Sequence, residues 1–375
     1  MSLYDVCFHK NYTPCFMIPI HSAILVSLCA GLISLILTPL VIVLSKRFGF
    51  VDDIRIRSHP AHIHTGVIPR AGGVVLYLSI VLTALYFLKM TPILMGILIG
   101  GGAIIIMGLL DDLFDTSPMG RLIASFVIVG FVILCGLGVP YITNPFGGVI
   151  QLDQYKWTIE FMGNQHSFLF LSNIFSLIWI VAIMNFVSWS SGVDGQLPGF
   201  VGISCIFIGL LAFRFSAHEI SSETIGLFAF IVAGSFFGFL PWHFFPQKIM
   251  PGYSGGALAG FLLGVLSILS WSKIGTVALV LSVPLIDAVY IIIRRISVGA
   301  SPVRADRGHF HHRLMEIGWG KRRIAVFYWL VSGIFGVSAL YFESKEKLLA
   351  LGVSALLVAF FIYFINKIKG LEVAQ

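Results

Sequence analysis

Two clusters of ionisable residues in this chain are dense enough to do chemistry. Asp111 and Asp112 stand side by side after the run Gly108-Leu109-Leu110. They fall at the C-terminal end of an apolar helix, where the macrodipole is negative and neighbouring carboxylates need a cation to offset them. Asp115, one turn past Asp111, adds a third acid on a similar face. A divalent metal would resolve the conflict. Magnesium suits an oxygen-only site completed by substrate phosphates; a solvated acidic helix end accounts for the pair equally well. The second cluster lies in PLIDAVYIIIRRISVGASPVRADRGHFHHRL, residues 284–314, where His309, His311, His312 and Arg313 follow Asp287 and Arg294-Arg295. Guanidinium forks and imidazoles suit a diphosphate, which they meet with charge-assisted hydrogen bonds. A membrane-surface anchor explains the arginines but not the histidines, and a structural zinc site lacks a fourth ligand at suitable spacing.

Three further loops could join them. In NFVSWSSGVDGQLPG, residues 185–199, Asp194 sits between Gly192 and Gly195, so backbone there can approach a nucleotide or phosphate; Asn185 begins the stretch. An ordinary glycine-rich turn is the simpler reading. GYSGG at 252–256 opens another apolar segment and offers N–H groups at a helix N-terminus, or close helix packing through small residues. HTGVIPRAGG at 64–73 puts His64 and Arg70 on one polar loop, although a basic bias at the membrane alone accounts for Arg70.

The elements that must position these groups are membrane helices. The chain has 375 residues, 58% hydrophobic and 11% charged, with a mean hydropathy of +0.96. That is more apolar sequence than a soluble core can hide. A span needs roughly 17–25 apolar residues, since hydrocarbon satisfies no backbone polar group. By that criterion spans are expected near 17–45, 71–88, 92–110, 121–139, 168–187, 198–215, 224–242, 255–270, 274–293, 325–342 and 347–366. The expected fold is therefore all-α and polytopic, with about eleven transmembrane helices in one membrane domain over 1–375. The first span is too long for a cleaved signal peptide and lacks a basic flank before it, so it reads as a retained anchor. Residues 140–167 read as an ordered loop or hairpin on the membrane surface. Cys7 and Cys15 share an aqueous segment and could pair in an oxidising compartment, with free thiols the simpler reading.

Lysine and arginine set the orientation. With the N-terminus outside and the C-terminus cytoplasmic, seventeen of the 24 lie on the cytoplasmic side. Both clusters fall on that side too. The net charge of +7 thus reflects topology, and no nucleic-acid motif accompanies it. A transporter or channel is disfavoured, because ionisable groups gather at one face and only Asp287 is a candidate for the midplane.

Taken in order, the HTGVIPRAGG loop, the GLLDDLFD helix end, the N-to-DG loop at 185–195, the SGG loop at 254–256 and the PLID-to-DRGHFHHRL run resemble the polyprenyl-phosphate N-acetylhexosamine-1-phosphate transferases, glycosyltransferase family 4. The likeness covers about 46–318. It is closer to the undecaprenyl-phosphate GlcNAc-1-phosphate branch than to the phospho-N-acetylmuramoyl-pentapeptide branch. The resemblance implies a magnesium-dependent enzyme, with manganese as an alternative ion, in a bacterial-type cytoplasmic membrane with its active site on the cytoplasmic face. Polyprenyl (undecaprenyl) phosphate would attack the β-phosphate of a UDP-sugar and release UMP. Asp111 and Asp112 would be catalytic and, with Asp194, hold the metal. Asn185, Asp194, Gly195, His309, His311, His312, Arg313, His64 and Arg70 would bind substrate. Relatives often form homodimers, but no feature of the chain gives that state. The pattern departs at two places: Tyr253 and Ser191 stand where relatives carry aspartates. Such a loss weakens a magnesium site unless Asp115, Asp194, Asp287 or substrate oxygens fill the vacant position, and a catalytically silent relative that binds lipid phosphate or nucleotide is the alternative.

Overall fold

In the computed structural model the described residues are 13–53, 66–161, 164–213, 222–270, 274–301 and 308–369. His64, Cys7 and residues 302–307 lie outside them. At the centre stands α8 (Gly252–Leu269), buried at every position from Ser254 to Leu269. It is apolar and glycine-rich all round, the pattern of a helix enclosed on every side. Around it pack α2 (Gly72–Phe87), α3 (Pro92–Phe114) and α5 (Phe170–Trp189). Gly108 lets α3 come this close: a Cβ there would lie 2.6 Å from the Ser254 backbone nitrogen. At the outside, α1 (Thr13–Phe48) and α13 (Ser344–Lys369) expose Leu28, Leu32 and Ile36, and Leu349, Leu356 and Phe360. Apolar surface of that extent needs hydrocarbon to cover it.

The chain has a multi-pass membrane architecture. Among the described residues seven helices are long and apolar enough to cross a membrane, or eight if one bent pair is counted as a span. Each remaining expected span coincides with a shorter apolar helix: α2, α4 (Pro118–Leu134) and α6 (Gln196–Ala212) have 16, 17 and 17 residues. At 1.5 Å per residue these reach about 25 Å, short of a hydrocarbon core of about 30 Å.

The bent pair corrects the expectation of one continuous span over 274–293. α9 (Ile274–Val280) and α10 (Ser282–Ser297) meet at 84°. Pro284 explains the break: in a continuous helix its ring would clash with the Val280 carbonyl, which would also lose its partner. Ser332 of α12 (Lys321–Tyr341) takes up that carbonyl, its Oγ donating at 3.1 Å.

Among the described residues, short two-stranded ribbons supply the regular β structure. β1 (Val51–Asp53) and β2 (Val67–Pro69) pair antiparallel, Val51 opposite Pro69, and carry the chain from α1 to α2. Met250 N–H donates to the Pro69 carbonyl at 2.7 Å, and Gly72 N–H to the Met250 carbonyl at 3.0 Å. This ribbon is thereby strapped to the segment that enters α8. The stretch expected as a loop or hairpin forms two hairpins, β3 (Tyr141–Thr143) with β4 (Val149–Gln151) and β5 (Lys156–Phe161) with β6 (Asn164–Leu169).

Candidate active site

Asp111 and Asp112 occupy the last turn of α3 and are both 4% exposed. Each carboxylate is held by a guanidinium from a different element. Arg121, in the first turns of α4, reaches Asp111 Oδ2 through Nη1 at 2.8 Å, while Thr116 Oγ1 donates to Oδ1 at 2.6 Å. Arg70, just past β2, reaches Asp112 Oδ1 through Nη2 at 3.0 Å and lies 3.8 Å from Asp52. Tyr253 N–H, at the start of α8, donates to Asp112 Oδ1 at 3.2 Å, and its ring lies 4.8 Å below the Arg121 guanidinium. The charge conflict expected at this helix end is therefore met by two arginines. Charge balance alone no longer calls for a metal.

Asp115 does not extend the pair. The helix stops at Phe114, and Asp115 takes a left-handed conformation (φ 51°), exposed, with its N–H on the Asp111 carbonyl. The turn it starts sends α4 back along α3, and that reversal delivers Arg121 to Asp111.

The histidine cluster is built on α10, whose second turn carries Asp287, and on α11 (Phe310–Glu316), with His309 just before it. Asp287, 1% exposed, accepts from His309 Nδ1 at 2.9 Å through one oxygen and from Phe310 N–H at 2.8 Å through the other. It thus fixes the start of α11 and the His309 ring, and both its oxygens are spent there rather than beside the acid pair. Trp189 at the end of α5 lies 6.5 Å from the His309 ring and 5.6 Å from the Arg295 guanidinium. His311 is layered between its neighbours, parallel to His309 at 5.7 Å and tilted to His312 at 4.3 Å. Burial, followed by the adjacent His312 and His309, holds its pKa well below the usual histidine value, so it is neutral near pH 7. A Cβ on Gly192 would strike His311 Nε2, so the glycine of the 185–199 loop is what admits the ring. Arg313 is buried, donates from Nε to the Gly308 carbonyl at 3.0 Å and faces the Tyr290 ring at 5.7 Å.

Asp194 goes elsewhere. Its oxygens accept from Lys321 Nζ and Gln247 N–H, both at 3.3 Å. Gly195 N–H donates to His243 Nδ1 at 2.8 Å, and its carbonyl accepts from Trp329 Nε1 at 3.1 Å. Asn185 and Ser191 spend their side chains locally, Nδ2 on the Val181 carbonyl at 2.8 Å and Oγ on the Ser188 carbonyl at 2.6 Å. Among the described residues no three histidines, cysteines or acids gather to hold a metal. The expected trio of Asp111, Asp112 and Asp194 is thus reduced to the adjacent pair.

Pair and histidines share one end of the molecule. Asp112 meets Tyr253 at the first residues of α8; Gly256, one turn on, packs against Ser188 of α5; and Gly192, just beyond α5, holds His311. Sequence reasoning counted Arg121 and Lys321 only among the seventeen cytoplasmic basic residues and missed Thr116 and His243. Arg121's signal was its place ten residues beyond Asp111, across a turn of three.

A multi-pass helical membrane protein with paired acids and a buried histidine cluster at one end is the class that fold and site define. Residues 94–271 match the family model described as glycosyl transferase family 4. The chain is 28% identical to decaprenyl-phosphate N-acetylglucosaminephosphotransferase of Mycolicibacterium smegmatis, covering 94% of this chain and 90% of that one. It is 29% identical to a probable undecaprenyl-phosphate N-acetylglucosaminyl 1-phosphate transferase of Bacillus subtilis, covering 95% and 93%. Against phospho-N-acetylmuramoyl-pentapeptide-transferase of Bacillus pumilus the identity is 25%, over 83% and 95%. The resemblance read from the sequence holds, including its preference between the two branches.

Proposed function

We propose that this protein transfers a sugar-1-phosphate, N-acetylhexosamine-1-phosphate, from a UDP-sugar to polyprenyl phosphate at the cytoplasmic membrane face. Eleven crossings with the N-terminus outside accompany this reading. A phosphate oxygen of the lipid attacks the β-phosphorus, the bond from that phosphorus to the bridging oxygen breaks, and UMP leaves. Such a transfer asks the protein to bring two anions into line and to neutralise their charge.

The observation that carries the reading is the double ion pair, Asp111 with Arg121 and Asp112 with Arg70, at the same end as the histidines. Arg70 and Arg121 are cations already in place for phosphate oxygens, and their carboxylate partners hold them there. Asp111 and Asp112 are the groups that would take a proton from the lipid phosphate or hold the metal. His309, kept in place by Asp287, His312 and Arg313 bind the diphosphate, and neutral His311 braces them. Two adjacent carboxylates with oxygen donors only fit magnesium or manganese completed by substrate phosphates, so Asp111 and Asp112 would hold it. When bound, the ion supplies charge neutralisation at the diphosphate.

One observation favours a second reading, binding without turnover: Tyr253 brings a phenol, where relatives carry an aspartate, under Arg121. The experiment is incubation of purified protein with polyprenyl phosphate, magnesium and a panel of UDP-sugars, following UMP. Release that vanishes in Asp111→Asn or Asp112→Asn supports the transferase. Nucleotide binding with no release supports the second reading.

A further inference from the structure

Along the last turns of α1, Ile36, Pro39, Val43 and Lys46 recur at helical spacing and so share one face. Ile36 and Val43 are 70% and 63% exposed on a helix apolar enough to cross a membrane, so this stripe faces hydrocarbon. Lys46 closes it, in the last turn. Where α1 meets β2 the stripe becomes one wall of a groove of about 540 Å³, which Ile68 of β2, Trp242 of α7 (Ser222–His243) and Lys248 complete. The Trp242 indole donates from Nε1 to the Leu35 carbonyl at 3.2 Å, and the Lys248 ammonium lies over its ring at 5.0 Å. The ring is thereby tied to α1 and the ammonium to the ring. Among the described residues that line the groove are two lysines and no acid. The guanidiniums on the aspartate pair are Arg70 and Arg121, so these two lysines stand outside the transfer site. The groove nevertheless backs onto that site. Pro69, in its lining, accepts from Met250 N–H at 2.7 Å and directly precedes Arg70, the partner of Asp112.

We infer that the α1–β2 groove binds a membrane phospholipid with an anionic phosphodiester head group, not as a substrate but as a bound lipid that braces the ribbon leading to Arg70. The head group meets Lys46 and Lys248, and an acyl chain runs along Val43, Pro39 and Ile36. Two lysines without an acid select an anion, as basic residues do at a membrane surface. The exposed apolar stripe selects a tail, so a free phosphate would leave that wall bare. Binding and bracing are both measured without turnover, so they stand or fall independently of the transferase reading.

Trp242 reports on the groove. The chain has seven tryptophans, so its contribution to fluorescence is taken as the difference between each protein and the same protein carrying Trp242→Phe. In nanodiscs, brominated phosphatidylglycerol should quench that contribution at a mole fraction about fivefold or more below that needed for brominated phosphatidylcholine. Lys46→Gln with Lys248→Gln should abolish the preference, and Lys46→Arg with Lys248→Arg, which keeps both charges, should retain it. In detergent, added phosphatidylglycerol should raise the melting temperature of the wild type and not that of the double glutamine variant. Equal quenching by the two lipids in the wild type, or a preference that survives the double glutamine variant, overturns the assignment. So does displacement of the brominated lipid by glycerol 3-phosphate, which would mark a free-anion site, or by polyprenyl phosphate at equal mole fraction, which would give the groove to the acceptor. Binding that leaves the melting temperature unmoved overturns the bracing of the ribbon.

Discussion

Arg121 stands ten residues beyond Asp111 in sequence and 2.8 Å from it in space. That closeness is made by the left-handed exit of Asp115 and the immediate restart of the chain at Pro118, which fold α4 back on α3. The arginine is thereby shared between an aspartate of the pair and an aromatic ring.

Replacing Arg121 with alanine should therefore damage both activity and stability. It leaves the buried Asp111 carboxylate without its cation, at up to about 3–5 kcal/mol. Loss of one charge-stabilising donor costs about a hundredfold in rate. Arg121→Lys should recover part of the rate but not the forked contact. UMP release beside thermal unfolding in detergent checks this, and equal loss in both variants of rate and melting temperature would point to a structural role alone.

Asp287→Ala and Asp287→Asn should separate. Alanine leaves His309 Nδ1 and the Phe310 N–H buried without their acceptor, at about 1–3 kcal/mol. Asparagine keeps an oxygen for the Phe310 N–H and loses the charge facing His309. The asparagine variant is expected to melt nearer to wild type, with UMP release reduced. Release equal to wild type in Asp287→Asn would argue against control of His309.

His311 gives a pH dependence of stability whose direction follows from its burial. Its folded pKa lies below the unfolded value of about 6.5, so the unfolded chain binds more protons below that pH. The stability is complete above about pH 6.5 and is lost as the pH falls from there toward the folded value, at up to about 1.4 kcal/mol per pH unit. His311→Gln should flatten that slope in melting curves taken from pH 8 to pH 5. A slope that persists unaltered assigns the proton uptake to other groups.

Gly108→Ala should push α3 away from α8, since the added Cβ lands on Ser254. Overpacking at such a crossing costs about 1–3 kcal/mol. Here it also pulls Asp112 from the Tyr253 N–H. A lower melting temperature with reduced UMP release is expected, whereas normal values for both would show that the crossing yields easily.

The helices were legible because hydrocarbon demands long apolar runs, and each expected run coincides with a helix or with the bent pair. The elbow at Leu281 was not read, although Pro284 carried the signal; a run of apolar residues hides a proline whose consequence is steric. The acid pair and the histidines were visible as residue types. Their partners were not. Asp115 looked like a third ligand because helical periodicity was continued one residue too far, past the point where the backbone turns left-handed. Asp194 looked like a metal ligand because nothing local announces Lys321, 127 residues on. Asp287 and His309, 22 residues apart, meet only once α10 ends and α11 begins.

The elbow between α9 and α10 has a mechanical result. Ser332 grips the carbonyl exposed there, and Lys321, eleven residues earlier on the same helix, grips Asp194. One rod is thus bolted at two points to two separate parts of the frame. The short imidazole-bearing helix hangs from the near end of that rod, so a tilt of the rod swings the three rings and the aspartate loop together.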